Sequence, residues 1–128
     1  MSFKPLKFSV IIPTYNRPQH LKQCLQSLTH LDYPSDRFEV VVVDDGSQMS
    51  LTSITEQFEA DLSLRFIQQH NAGPASARNT GAAAAQGDYL IFTDDDCQPA
   101  PGWLKALDTA IADVPNARIG GHSITALP

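Results

Sequence analysis

The chain has 128 residues, a length that fits one domain with a substantial core but not two independent ones. Its apolar fraction of 42% and charged fraction of 18% are those of a folded globular protein and exclude an intrinsically disordered chain. The net charge of -5 excludes a general nucleic-acid binder, because such proteins present a basic face to the phosphates.

Neither an export signal nor a membrane span is predicted. The apolar run at 8–12 is too short for a signal peptide, and no stretch approaches the roughly 20 apolar residues that a bilayer span needs. Cys24 and Cys97 lack a paired spacing, so we predict two free thiols, with Cys24 in the core. We therefore expect a cytoplasmic location without a transmembrane segment, and leave peripheral membrane association open.

Strand-like and helix-like patterns alternate along the chain. Short β-branched runs predict strands buried on both faces, and apolar residues three or four apart predict amphipathic helices. Asn16 is positioned to cap the first helix. The predicted elements are a strand at 8–13, a helix from 18 to about 33, a strand at 38–43, a helix at 51–60, a strand at 64–68, a helix from 74 to about 86, a strand at 88–93, a helix from 103 to near Pro115, and a strand at 117–121.

This alternation predicts the fold class. Strands separated by helices imply βαβ units, and right-handed crossovers then build an open, mostly parallel α/β sheet with helices on both faces. In such sheets ligands bind outside the carboxyl ends of the strands, at a switch in strand order. The predicted strands at 8–13, 38–43 and 88–93 all end in polar residues, so we expect the functional site at that edge.

Three consecutive carboxylates, Asp94, Asp95 and Asp96, follow the fourth predicted strand. Adjacent carboxylates repel one another unless a cation or strong donors compensate their charge. In an extended segment Asp94 and Asp96 would point to the same side, which suits a magnesium-like ion that also binds substrate phosphate. The alternative is a solvated acidic turn, or a cap on the helix that follows.

A second acidic pair and a lone arginine accompany the triplet. Asp44 and Asp45 precede Gly46, so one of them is expected to form an Asx-type turn while the other faces a ligand. Arg78 is the only arginine between residues 66 and 117, and its predicted helix is built of small residues. Its partner is either an aspartate or the base or phosphate of a nucleotide. Neither GxxxxGK[ST] nor GxGxxG occurs, so a phosphate loop of either kind is not predicted.

Four segments together resemble the family-2 glycosyltransferases of the GT-A fold. They are SVIIPTYNR at 9–17, VVVDDGS at 41–47, NAGPASARNTG at 71–81, and FTDDDC at 92–97 with PGWL at 101–104. Each segment alone is weak, but the four in this order and spacing are specific, and the resemblance covers essentially the whole chain. The resemblance implies a GT-A sheet and inverting transfer of a sugar from a nucleotide diphosphate donor, usually a UDP-sugar.

The resemblance also implies roles for nine residues. Asp94 and Asp96 match the outer positions of the family's DxD motif and would bind Mg²⁺ or Mn²⁺, with Asp96 the stronger candidate, while Asp95 would approach the ribose or the sugar. Asp45 would accept a hydrogen bond from the base N–H, and Arg78 would hold the base or a phosphate. The residues expected to border the nucleoside are Pro13, Thr14, Tyr15 and Arg17.

The acceptor half of such a reaction needs further groups. An inverting transfer requires a carboxylate general base that deprotonates the acceptor hydroxyl, which belongs to a glycan, a lipid or another hydroxyl compound. In the family this base lies well downstream of the DxD segment, in a part that this sequence does not contain. We therefore expect a chain truncated before the acceptor-binding half, without its general base.

Three other hypotheses for the function compete with a transferase. A non-catalytic nucleotide-sugar-binding module would share the donor features and differ only in lacking a base. A phosphoacceptor signalling domain would need an acidic pair after the first strand, where this chain has Pro13, Thr14 and Tyr15. A nucleotidyltransferase would need a glycine-rich basic loop at the same place, and none is present.

Overall fold

The computed structural model describes residues 6–112 and the backbone of residues 122–125. Strands and helices alternate through this part of the chain, as predicted. In chain order the elements are β1 Phe8–Thr14, α1 Pro18–Leu28, β2 Phe38–Asp44, α2 Thr52–Glu56, β3 Leu64–Gln68, α3 Pro74–Ala84, β4 Tyr89–Phe92, α4 Trp103–Ala112 and β5 His122–Thr125.

The strands form one parallel sheet in the order β3-β2-β1-β4-β5. The chain first builds outward from β1 to β3 and then returns to add β4 on the other side, so the strand order switches between β1 and β4. This confirms the predicted open α/β sheet. It also excludes the phosphoacceptor alternative, whose sheets have the order 2-1-3-4-5.

Both faces of the sheet are covered because successive residues of a buried strand point to opposite faces. Val10 and Ile12 of β1 belong to the larger core, which α1 and α4 complete. Ile11 belongs to a smaller core on the other face, together with Ala77 of α3. Trp103, the first residue of α4, is buried in the larger core and anchors that helix against the sheet.

Several element boundaries differ from the prediction. α1 ends at Leu28 rather than near residue 33, although Leu31 still packs against the core. α2 covers only Thr52–Glu56, and the buried Phe58 lies in the turns that follow it. Turns, like helices, can return the chain to the same face every three or four residues, so apolar spacing alone extends a predicted helix too far.

The prediction that Asn16 caps α1 is wrong. Arg17 occupies the N-cap position, and no side-chain hydrogen bond caps the helix. Asn16 has a φ of 53°, a conformation that asparagine tolerates. Its backbone N–H donates to Ser47 Oγ at 2.8 Å and its side-chain oxygen accepts from the Gln48 N–H at 2.8 Å. Asn16 therefore joins the loop after β1 to the loop after β2.

The last predicted elements are only partly covered. The predicted end of the fourth helix near Pro115 and the strand predicted at 117–121 lie outside the described residues. β5 is found at His122–Thr125, where it pairs with β4 in parallel. Its placement extends the sheet on the β4 side.

The helices of the described part are short. The longest of them, α1 and α3, have 11 residues each. No helix among the described residues combines the length and the apolar character that crossing a membrane requires.

Candidate functional site

A cleft of about 630 Å³ opens at the carboxyl ends of β1, β2 and β4. This volume lies within the roughly 300–1,000 Å³ of small-molecule sites. All nine residues predicted for the site line the cleft, so the structure brings them together where the sheet topology predicts a ligand. The complete lining consists of Pro13, Thr14, Tyr15, Arg17, Asp45, Asn71, Gly73, Pro74, Ala77, Arg78, Asp94, Asp95 and Asp96.

The acidic triplet forms one end of the cleft. The Cys97 N–H donates to the Asp94 carbonyl at 3.1 Å, so this segment is a turn and the extended conformation that we predicted is wrong. The turn leaves Asp94 and Asp96 exposed and buries Asp95 between them. One ligand atom from each of Asp94, Asp96 and Cys97 lies within 4.8 Å of the others. The outer carboxylates are therefore close together, although a turn brings them there.

Asp95 connects the acidic turn to the loop after β1. Thr14 Oγ1 donates to one carboxylate oxygen at 2.8 Å, and Arg17 Nη1 donates to the other at 3.1 Å. Arg17 Nη1 also lies 3.6 Å from Asp96 Oδ2. The hydrogen bond to Asp95, with the charges of both aspartates, raises the pKa of Arg17. Arg17 therefore remains a cation that offsets part of the negative charge of the turn.

The exposed carboxylates suit a hard divalent cation. Carboxylate oxygens are preferred ligands of Mg²⁺ and Mn²⁺, and exposure leaves room for water and phosphate in the remaining coordination positions. Cys97 adds a nearby thiol, which softer ions favour. The two carboxylates of Asp94 and Asp96 thus fit the metal predicted from the DxD motif.

Asp45 lies at the opposite wall, against the loop between β3 and α3, and is 4% exposed. Its Oδ1 accepts from Gln69 Nε2 and from the Ala72 N–H, both at 2.8 Å. Its Oδ2 accepts from the Gly73 N–H at 3.0 Å and from Asn71 Nδ2 at 3.3 Å. Burial acts to raise the pKa of Asp45, but hydrogen bonds from Gln69, Ala72 and Gly73 outweigh it and the net pKa is lowered.

Asp44 forms the turn that was predicted for one member of the acidic pair. Its Oδ1 accepts from the Ser47 N–H at 2.9 Å. Gly46, between them, has a φ of 85°. Asp44 therefore shapes the loop after β2, and Asp45 is the member of the pair that lines the cleft.

Arg78 and Tyr15 give the cleft a cation and an aromatic ring. Arg78 is exposed on α3, and within residues 6–112 no aspartate or glutamate forms a salt bridge with it. Of its two predicted partners, the aspartate is therefore not the one observed. Tyr15 is 43% exposed, so its ring is available to stack on a flat ligand.

Four lining residues were missed from the sequence: Asn71, Gly73, Pro74 and Ala77. All four belong to the segment at 71–81 that carries part of the family resemblance, but only Arg78 received a role. The sequence signal that could have found them is the position of this segment, which leads from β3 into α3 at the carboxyl edge of the sheet.

Sequence comparison identifies relatives over most of the chain. The family described as Glycosyl transferase family 2 matches residues 9–122. Glycosyltransferase AglE of Haloferax volcanii is 37% identical over 116 residues, which cover 89% of this chain and 38% of AglE. Poly(ribitol-phosphate) beta-N-acetylglucosaminyltransferase TarS of Staphylococcus aureus is 39% identical over 93 residues, which cover 71% of this chain and 16% of TarS. The chain thus spans well under half the length of these curated relatives.

Solved structures agree in fold. Residues 1–349 of S. aureus TarS in complex with UDP-GlcNAc match with a TM-score of 0.81 and 37% identity, covering 84% of this chain and 32% of that chain. The mannosyltransferase PcManGT from Pyrobaculum calidifontis, in complex with GDP-Man and Mn²⁺, matches with a TM-score of 0.78 and 32% identity, covering 86% and 35%. On the family match and these relatives, the chain belongs to glycosyltransferase family 2 and has the GT-A fold.

Proposed function

We propose that this chain forms the nucleotide-sugar-binding part of a glycosyltransferase, which transfers a sugar from a nucleotide diphosphate donor to an acceptor hydroxyl. The observation that carries the proposal is one cleft that combines two exposed carboxylates, a cation and an exposed aromatic ring. A nucleoside diphosphate presents the matching chemistry in a flat base, a ribose and a charged diphosphate. The UDP-GlcNAc and GDP-Man named for the two solved relatives support it.

Different lining residues would contact different parts of the donor. Pro13, Thr14, Tyr15 and the wall that Asp45 supports would border the nucleoside, with Tyr15 stacking on the base. Asp95 would accept a hydrogen bond from a ribose or sugar hydroxyl, because each of its oxygens keeps a lone pair beyond the bonds from Thr14 and Arg17. Arg78, which has no salt bridge in the described part of the chain, would hold a phosphate or the base.

Asp94 and Asp96 would hold Mg²⁺ or Mn²⁺ at the diphosphate end. The bound ion would supply positive charge to the departing nucleoside diphosphate. The chain's own contribution is a turn that is fixed in advance, because Thr14 and Arg17 hold Asp95 between the two ligands. Electrostatic groups positioned before the ligand arrives need no costly rearrangement during the reaction.

Our proposal for the acceptor side is an inverting transfer to a glycan, a lipid or another hydroxyl compound, with a uridine nucleotide as donor. Inversion needs a carboxylate base facing the acceptor. The carboxylates that line the cleft are assigned to the donor and the metal, so we assign the base to residues outside the described part.

Calorimetric titration of the chain with UDP, with and without Mn²⁺, tests the donor site. We expect Mn²⁺-dependent binding by the wild type and its loss in Asp96→Ala, because that variant removes the stronger metal ligand. Asp36→Ala, which removes an exposed carboxylate outside the cleft lining, is the matched control and should bind like the wild type.

GDP is titrated in parallel, since one solved relative carries a guanosine donor. If the folded wild-type chain binds neither UDP nor GDP in either condition, the proposed donor site is wrong. Binding without any dependence on Mn²⁺ would retain the nucleotide site and contradict the metal assignment.

A further inference from the structure

The fold brings the two cysteines of the chain together at the acidic end of the cleft. Both are free thiols, as the sequence predicts. Cys24 Sγ, on α1, donates to the Asp94 carbonyl at 3.8 Å, and the Cys97 N–H donates to the same oxygen at 3.1 Å. Because the two contacts share one atom, the sulfur of Cys24 lies within the sum of these distances of the Cys97 nitrogen.

Electrostatics indicates the same proximity for the two sulfur atoms. Burial raises the pKa of the Cys24 thiol to about 12, and among the ionisable groups around it Cys97 has the largest effect, ahead of the three aspartates of the turn. Electrostatic effects fall with distance, so this order agrees with the shared carbonyl contact. Cys97 Sγ itself lies 4.0 Å from Asp96 Oδ1. Rotation of the Cys97 side chain away from Asp96 and toward α1 would therefore bring the sulfurs into contact.

The two thiols differ in their access to solvent. Cys24 is fully buried in the larger core, whereas Cys97 is partly exposed. A small oxidant in solution therefore reaches Cys97 first. The chain has only two cysteines, so the one thiol that can then react with an oxidised Cys97 within the same molecule is Cys24. Redox-sensing pairs have this arrangement, in which an accessible cysteine lies next to a resolving one.

We infer that Cys24 and Cys97 form a redox modification site, at which a hydroperoxide converts the two thiols into a disulfide that ties the acidic turn to α1. The sulfur of Cys97 attacks one oxygen of the peroxide, the O–O bond breaks, and a sulfenic acid forms with release of water or an alcohol. The sulfur of Cys24 then attacks that of Cys97, the S–O bond breaks, and the hydroxyl leaves as water with the Cys24 proton. The two thiols lose two electrons, which the peroxide gains.

The disulfide changes the acidic turn. It removes the S–H group that donates to the Asp94 carbonyl, and it fixes Cys97 against α1 with the two Cα atoms about 4.4–6.8 Å apart. Asp96 directly precedes Cys97, so its carboxylate moves with the turn. We therefore expect the oxidised chain to hold Mn²⁺ less tightly than the reduced chain. This consequence rests on the proposed function, which assigns the metal to Asp94 and Asp96.

Mass spectrometry after treatment with hydrogen peroxide tests the bond, with Cys97→Ser as the matched control. We expect digestion of the oxidised wild-type monomer without reductant to yield peptides joined through Cys24 and Cys97, and dithiothreitol to separate them. Cys97→Ser should yield no joined peptides. Met49 is 60% exposed and should gain oxygen in both proteins, so the control separates methionine oxidation from the disulfide.

Two outcomes of this measurement overturn the inference. One is a wild-type chain that forms only dimers through Cys97, and the other is oxidation that stops at a sulfur acid of Cys97 without joining Cys24. Cys24→Ala is a second control, and circular dichroism checks that each variant folds. If Cys24→Ala does not fold because its site is in the core, the wild type and Cys97→Ser decide.

Amide proton resonances report the change in the turn. Oxidation of the wild type should shift the resonances of Asp94 and Asp96 and leave those of β3, at the far edge of the sheet, in place. The same treatment of Cys97→Ser should shift neither set. Unchanged resonances of the turn in a wild-type chain that carries the disulfide would overturn the coupling between the bond and the turn.

Binding of UDP and GDP with Mn²⁺, measured after the peroxide is removed, separates this inference from the proposed function. Oxidation should weaken wild-type binding roughly tenfold, as disturbing the groups that orient metal ligands does, and should leave Cys97→Ser unchanged. Equal binding by the reduced and oxidised wild type would overturn the effect on the metal. A reduced chain that binds neither nucleotide refutes the proposed function, while the mass spectra and resonances still decide the disulfide.

Discussion

At the amino edge of the sheet Glu39 of β2 is buried among protein partners, whereas at the carboxyl edge Asp94 and Asp96 are exposed. Glu39 Oε2 accepts from Ser9 Oγ and from the Gln86 N–H, both at 2.6 Å. Its other oxygen lies 3.5 Å from a guanidinium nitrogen of Arg65.

At the carboxyl edge, far less positive charge offsets the negative charge of Asp94 and Asp96. Arg17 lies 3.6 Å from Asp96 and is itself half-exposed, so water screens the pair. No salt bridge to Asp94 occurs within the described residues. Proteins commonly give up stability where a site must bind a ligand. The comparison teaches that carboxylates whose negative charge lacks protein partners identify the functional edge of the sheet, whereas the mere presence of acidic residues does not.

The largest effect on stability is expected for Glu39→Ala. The variant leaves Ser9 Oγ and the Gln86 N–H without their buried acceptor, at about 1–3 kcal/mol for each unsatisfied group, and removes the ion pair with the partly exposed Arg65. Urea denaturation measures the loss. Glu59→Ala, at an exposed glutamate, should change the free energy of unfolding by less than about 0.5 kcal/mol. Equal losses of unfolding free energy in the two variants would show that the hydrogen bonds of Glu39 do not stabilise the amino edge of the sheet.

Gly87→Ala should disrupt the same edge by a different route. A Cβ at Gly87 would lie 2.7 Å from Ser9 Oγ and from the Phe8 carbonyl carbon, and 2.8 Å from Ser9 N. Backbone atoms of β1 cannot move aside cheaply, so we expect a loss of about 2 kcal/mol, measured by thermal denaturation. Gly102→Ala is the control, because a Cβ there meets nothing within 4 Å. A comparable loss in the control would contradict the packing explanation.

Acid should weaken the interactions of a second carboxylate with protein partners, that of Asp108, which lies beside the amino end of β1. Lys7 Nζ donates to Asp108 at 2.5 Å and the Tyr33 hydroxyl donates at 3.0 Å. Burial acts to raise the pKa of Asp108, but these hydrogen bonds outweigh it and the net pKa is lowered. A carboxyl whose pKa falls on folding stabilises the protein above its unfolded pKa, and that stability is lost as pH falls through the folded value.

We therefore expect the melting temperature of the wild type to fall more steeply below about pH 4 than that of Asp108→Asn, which has no carboxyl to protonate. The effect should be smaller than those of Glu39→Ala and Gly87→Ala, because Asp108 is partly exposed. Parallel curves for the two proteins would contradict a stabilising role for this carboxylate.

The smallest effect on stability is expected for Asp94→Asn at the carboxyl edge. Removing one of several neighbouring negative charges relieves repulsion, so the melting temperature should stay the same or rise slightly. Nucleotide binding in the presence of Mn²⁺ should weaken in the same variant, because a proposed metal ligand is lost. A fall in stability like that of Glu39→Ala would remove the distinction between the edges.

Much of the fold was predictable because its determinants are local. The strand predicted at 64–68 matches β3 at Leu64–Gln68, since the pattern that predicts a strand is carried by adjacent residues. The edge of the site followed from the sheet class. The placement of the nine residues in one cleft agrees with the family resemblance, which supplied their roles.

Hydrogen-bond partners were less predictable because they join distant loops. Asp45 bonds Gln69 across 24 positions and Gly73 across 28 positions, and Glu39 bonds Gln86 across 47 positions. No periodicity encodes such pairs. Asn16 failed for a related reason, because its side chain had a second partner, the loop after β2, that no local capping rule includes.

The two cysteines of the chain differ in chemical accessibility. Cys24 is fully buried with its Sγ 3.8 Å from the Asp94 carbonyl, and burial, with neighbouring negative groups, raises the pKa of its thiol to about 12. Cys97 is partly exposed beside Asp96. Because the thiolate is the reactive form, a maleimide fluorophore should label Cys97 and spare Cys24. This 128-residue chain thus offers a single dye position at the acidic end of the cleft, and we expect the dye's emission to change when a nucleotide binds.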